Sequence, residues 1–368
     1  IATVTTVKST NIVNATPLSH RNVIINGAAM VAQRGDTTSG ATTGGYATDR
    51  FQAVQNESGT ITISQDSDAP AGFRKSHRLT QTTAQGSLAA NDLTTFRYNA
   101  EGFDLQRFKK GTSSAEEFTV SFWVKTVDQS SYPVTYILEL RDPVNTRSCC
   151  KSYTVNTSNT WEYKTITFPA DTSGQWATDN SKSLEMNWFV AAGSNYTSGT
   201  LSTSWATTVT ANRAAGLTAN LSASTSNRFF LTGVQLEVGS VATPFEYRSY
   251  CEELARCQRY YYRITGNDND TAGLGFAVSS NENYFWIELP VPMRAYPTYT
   301  GSATAARFFS GNNGQDFNLS SLSISTPTTH ANPTKALLYV TAAGTSTGYG
   351  GALSFQADNG IMEFSAEL

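Results

Sequence analysis

The stretch Glu117-Phe-Thr-Val-Ser-Phe-Trp-Val-Lys125 decides the fold class. Phe118, Val120, Phe122 and Val124 fall on one face of an extended chain, and Thr119, Ser121 and Trp123 fall on the other. Period-two alternation of β-branched and aromatic residues is the mark of a strand with one buried face. The same pattern recurs on both sides, at Gly59–Ser64, Arg78–Thr83, Tyr136–Arg141, Tyr163–Phe168, Leu184–Val190 and Arg228–Glu237. Each run is bounded by Gly, Asn, Asp, Ser or Pro. No helical period lies between them, so a parallel α/β sheet is excluded and a β-sandwich or jelly roll is expected.

Composition agrees. Of 368 residues, 39% are hydrophobic and only 15% charged, which rules out a disordered chain. The polar remainder is dominated by Ser, Thr, Asn and Gly, residues suited to exposed strand faces and turns. A net charge of -3 leaves no footprint for nucleic acid, and the short basic run Arg107 to Lys110 reads as a solvated turn. No apolar run is long enough to span a membrane, so membrane insertion is not expected. Four cysteines are too few for a disulfide framework of this length, and buried free thiols fit a reducing cytoplasm. No signal peptide is visible. The chain begins at Ile1, which leaves room for an upstream segment.

Four segments follow from the patterning. Residues 1–21 read as an extended arm or linker, and 22–248 as the jelly roll. Residues 249–264 read as a connecting helix, opened by the capping box Ser249-Tyr-Cys-Glu252 with Tyr250, Leu254, Cys257 and Tyr261 as its apolar stripe. Residues 265–368 carry a second set of short strands and form a smaller C-terminal β domain.

Several stretches resemble a family of phage tail-fibre and virion fibre proteins with a carbohydrate-binding-module-like jelly roll. Asn22-Val-Ile-Ile-Asn-Gly27 with Gln33-Arg-Gly35 looks like the family's first strand, and Tyr46-Ala-Thr-Asp-Arg-Phe51 like the aromatic element after it. Phe118 to Lys125 and Trp161-Glu162 are similar too. The most specific match is Thr232-Gly-Val-Gln-Leu-Glu-Val-Gly239, then Ala242-Thr-Pro-Phe-Glu-Tyr-Arg248 and the helix from Glu252 to Tyr261. In the last domain, Pro290 to Thr298 and Phe364 to Leu368 resemble such fibres more loosely. The resemblance implies a homotrimer on the virion surface, assembled in the host cytoplasm, meeting other virion proteins through its N-terminal arm and host cell-surface polysaccharide elsewhere. It implies no catalytic residues. A structural head-fibre, decoration or baseplate adaptor protein is the alternative, and a glycan-cleaving tailspike the second.

The residues themselves point to no enzyme. The histidines, His20, His77 and His330, sit in no nucleophile or zinc-ligand context. The adjacent acids Glu116 with Glu117 and Glu252 with Glu253 are explained by a strand start and a helix N-terminus. Asn267-Asp-Asn-Asp270 lacks the glycine and late glutamate of a calcium loop and reads as a turn. Asp66 and Asp68 are the candidate ligands for a structural calcium; no other cofactor is expected. For glycan contact the candidates are Trp176, Tyr196 and Trp205, large aromatics in Gly/Ser/Thr-rich segments with no core duty in the periodicity. Trp123, Trp161, Trp188 and Trp286 lie in strands and read as packing residues.

Overall fold

In a computed structural model of the chain, the described residues are 20–35, 37–41, 45–127, 132–301, 306–311, 314–324 and 334–368. The chain is all-β and separates into two units, residues up to Tyr250 together with Leu368, and Cys251–Glu367. The N-terminal arm lies outside the described residues, apart from its last two.

The first unit is a jelly-roll sandwich. Its strands are β1 (Thr37–Ala41), β2 (Gly45–Tyr46), β3 (Phe51–Asn56), β4 (Thr60–Asp66), β5 (Ser76–Thr83), β6 (Leu93–Glu101) and β7 (Phe118–Val127). They continue with β8 (Val134–Asp142), β9 (Arg147–Val155), β10 (Glu162–Phe168), β11 (Lys182–Ala192), β12 (Ala206–Thr207) and β13 (Arg228–Val238). One antiparallel sheet runs β1-β4-β5-β13-β7-β10 and the facing sheet β12-β9-β8-β11-β6-β3-β2. Phe118, Val120, Phe122 and Val124 point into the core as their alternation predicts. There Phe122 meets Trp188 edge-on at 5.9 Å, and Phe51 stacks on Phe96.

Asn22–Gly27 is not a regular strand. Asn26 has a φ of 61°, and its side chain bonds the carbonyls of Val31 and Asp49. The segment instead continues the sheet where β5 stops: the Val23 N–H donates to the Leu236 carbonyl and the Val234 N–H to that of Gly27.

A titratable group sits inside this core. His77 is fully buried, its ring 4.0 Å from that of Phe51 and its Nδ1 2.6 Å from the Thr48 hydroxyl. Burial drives its pKa down to about 3, against the small opposing effect of the Asn26 backbone. The unfolded chain therefore binds the extra proton between pH 6.5 and 3, and stability falls as pH drops through that window. The loss between pH 7 and pH 5 is about 2 kcal/mol. A His77→Gln variant is expected to lose less of its urea midpoint over the same interval.

In the second unit helix α1 (Tyr250–Gln258) precedes β14 (Tyr261–Gly266), β15 (Thr271–Ala277), β16 (Glu282–Glu288) and β17 (Thr298–Gly301). Then come β18 (Ala306–Ser310), β19 (Asp316–Ile324), β20 (Lys335–Ala342), β21 (Gly350–Phe355) and β22 (Gly360–Ser365). Strands β15-β16-β20-β19-β18-β21 close into a small barrel, and β14-β22-β17 form a three-stranded sheet. Phe285, Phe308, Leu338, Leu353 and Phe355 fill the second core. The expected helix over 249–264 is too long. It stops at Gln258, because Tyr261 to Gly266 pair with the last strand, Tyr261 opposite Ser365 and Gly266 opposite Gly360.

Candidate functional site

The outer face of the six-stranded sheet carries a concavity of about 500 Å³, within the range of small-molecule sites. Its floor is the outward side of β7, Ser121 and Trp123, with Tyr163 of β10 directly opposite Trp123 in the register and their rings 5.3 Å apart. On the other side β13 is bulged between Thr232 and Gln235, and Gly233 takes a φ of 60°. A Cβ there would lie 2.7 Å from the Phe73 ring, so only glycine lets that ring rest beside Trp123.

The far wall is a strap of chain, 239–248, that returns across the sheet. Two buried outward-facing side chains of β13 hold it. Glu237 accepts from the Thr243 N–H at 2.8 Å, the Thr243 hydroxyl at 2.6 Å and Gln235 Nε2 at 2.8 Å. Gln235 Oε1 accepts the Glu246 N–H at 2.8 Å. The strap also receives Arg21, which donates to the Pro244 carbonyl at 2.6 Å. It covers Thr119 and Gln235, so polar residues that alternation assigns to solvent are buried. The latch aims Phe245 and Tyr247 back over the sheet. Phe73, Phe245 and Tyr247 form a mutual cluster with centroids 5.0–5.6 Å apart, and the Tyr247 hydroxyl donates to the Gly72 carbonyl. Tyr163 and Tyr247 remain 44% and 62% exposed, which leaves ring surface open to a ligand.

The aromatics that the sequence singles out lie elsewhere. Trp176 and Trp205 are only 4% and 9% exposed and close one end of the core, where Phe118 stands about 6 Å from both rings. They flank the ammonium of Lys110 at 5.5 and 5.1 Å, and Trp205 donates its indole N–H to the Pro169 carbonyl. Their loops fold back because this buried cation needs aromatic and oxygen partners. Tyr196 is half-buried against the small cluster of Leu93, Ile137 and Phe189, beneath the Arg213 guanidinium. None of the three joins the concavity. Trp123, read as a packing residue, is its floor, whereas Trp188 does pack in the core.

Asp66 and Asp68 are both committed to other partners. Asp66 is bound by Arg78 at 2.5 Å and accepts the Asp68 N–H. Asp68 is bound by Lys125 and by the Trp161 indole N–H; burial pushes its pKa up, but these two bonds outweigh it and the net shift is down. Among the described residues no three His, Cys, Asp or Glu side chains gather as a metal site needs. With a cation already on each carboxylate, the two aspartates do not fit a calcium site.

Two buried carboxylates that the sequence reading did not single out, Glu139 and Glu185, lie on the outer face of the seven-stranded sheet. Arg213 binds Glu139 through two nitrogens at 2.7 and 2.6 Å. Burial alone would raise the Glu185 pKa, but Arg97, Lys182 and Arg141 bring it to about 2. A carboxyl held ionised in this way cannot act as the protonated acid of glycoside hydrolysis at neutral pH.

No protein-family model matches the chain, and no curated protein matches it in sequence. Among solved structures it is similar to the enzymatically active domain of tailspike protein 4 of bacteriophage CBA120, at 11% identity and a TM-score of 0.30. That match covers 59% of this chain and 21% of the tailspike, so the chain spans about a fifth of the tailspike's length. It is also similar to the CBM22-1 xylan-binding domain of Paenibacillus barcinonensis Xyn10C, at 11% identity and a TM-score of 0.29, covering 60% of this chain and 96% of that one. A third is the family 11 carbohydrate-binding module of Clostridium thermocellum Lic26A-Cel5E, at 10% identity and a TM-score of 0.28, covering 57% and 98%.

Proposed function

We propose that this protein is a bacteriophage virion fibre component that attaches to host-surface glycan without cleaving it, as a homotrimer. The observation that carries the glycan reading is the concavity beside Trp123. It combines open aromatic faces with polar groups on a rigid sheet, the arrangement that recognises the apolar and hydroxylated sides of a sugar together. The resemblance of Thr232–Arg248 to phage fibre proteins supports the virion setting, and that stretch builds the bulge, latch and wall of the site. The non-catalytic reading is supported by the cations on Glu139 and Glu185.

A purely structural virion role is the second reading. It is favoured by the outer face of the barrel, where Leu274, Phe276 and Trp286 stand exposed on the paired strands β15 and β16, and Phe309 on β18, across β21 from β15. Binding of the purified protein to intact host cells, before and after their surface polysaccharide is stripped, separates the two. Saturable binding lost on stripping, with no sugar released, is the expected result. Binding unchanged by stripping, or none to a host that the particle infects, contradicts attachment through glycan.

A further inference from the structure

We infer that the concavity beside Trp123 selects uncharged sugars carrying an apolar substituent, such as 6-deoxy or N-acetylated pyranosides, over acidic ones. This rests on the glycan-attachment reading and adds the class of sugar. None of the eleven residues lining the concavity is charged. Lys125 of the same face is matched by Asp68, and Glu237 lies under the strap with Thr243 and Gln235; Arg74 and Lys75, which follow Phe73 in the chain, are not part of the lining. A carboxylate brought among Phe73, Phe245 and Trp123 would give up water to a lining that carries no cation, which is unfavourable.

What remains to greet a ligand is specific. The indole N–H of Trp123, the hydroxyl of Tyr163 and the hydroxyl of Ser121 have no hydrogen-bond partner among the described residues. They suit the hydroxyls or amide carbonyl of a neutral sugar. Opposite them, Phe73 and Phe245, with Ala71 and Ala242, present only carbon to the space. A methyl group, whether of a deoxy carbon or of an acetamido group, fills such a wall and gains apolar burial that a plain hydroxymethyl does not.

The test is titration of the full chain with methyl glycosides of N-acetylglucosamine, rhamnose and glucuronic acid, read by tryptophan fluorescence and calorimetry. Trp123→Ala and Tyr163→Ala are run in parallel, with the oligomeric state of each measured. The proposal expects the two neutral sugars to bind at least tenfold more tightly than the glucuronide, and both variants to lose that binding while staying folded. Equal or tighter binding of the glucuronide, lost in the variants, overturns the sugar class and leaves the attachment site standing. No binding of any sugar, with either variant changing the oligomeric state, overturns both and makes the concavity a contact between copies.

Discussion

Lys110→Ala is expected to destabilise the first unit by about 3–5 kcal/mol, the range for breaking a buried ion pair by removing one partner. The Lys110 side chain is 1% exposed, and its Nζ lies 2.7 Å from Asp142 Oδ2 and 3.2 Å from Asp171 Oδ2. The carbonyls of Gly174, at 2.6 Å, and Ser173, at 3.2 Å, complete an oxygen shell between the two indole rings. Truncation leaves Asp142 without its cation in a closed site. Asp171 is less affected because Arg147 holds it through two bonds of 2.8 Å. Urea unfolding at pH 7 measures the loss. Lys110→Met combined with Asp142→Leu is expected to recover much of it, because a buried pair replaced by apolar side chains of similar volume is often neutral. A Lys110→Ala midpoint equal to that of the unaltered protein contradicts a buried, structural ammonium.

Glu237→Ala is expected to free the strap and with it one wall of the concavity. Glu237 is fully buried and accepts three hydrogen bonds, with the Arg21 guanidinium 3.8 Å away. Its removal strands the Thr243 N–H and hydroxyl and one Gln235 donor, a destabilisation of about 2–4 kcal/mol. The effect on binding follows from geometry, because Phe245 and Tyr247 hold their places only while 239–248 is latched. Calorimetric unfolding and sugar titration on one sample are expected to show both losses. Lost stability with full sugar affinity would mean that the strap is no part of the site.

The sandwich was legible because its information is local. The alternation from Phe118 to Val124 places a strand and its buried face without reference to anything distant. The site was not, because it is assembled from segments far apart in sequence. Phe73, Trp123, Tyr163 and Phe245 meet only once the sheet is paired and the strap latched. One signal was available: a glycine inside a strand, Gly233, marks a bulge or a close approach, and here it marks both. Trp176 and Trp205 show the converse. Their glycine- and serine-rich surroundings suggest exposed loops, but the buried charge of Lys110, invisible to periodicity, draws both rings inward. The apolar stripe predicts too long a helix because Tyr261 continues it, while the pairing of Tyr261 with Ser365 is a contact across 104 residues of chain (365 less 261).

Attachment through the concavity is tested most directly by comparing host-cell binding by the full chain, by Trp123→Ala and by Trp286→Ala. Both tryptophans lie on outer strand faces, one in the aromatic concavity and the other, 41% exposed, on the barrel. Trp123→Ala is expected to weaken binding at least tenfold, about 1.4 kcal/mol or more, as for a central aromatic anchor, and Trp286→Ala to leave it unchanged. Full binding by Trp123→Ala, whether or not Trp286→Ala loses it, would contradict the proposed placement of a glycan site on the sandwich.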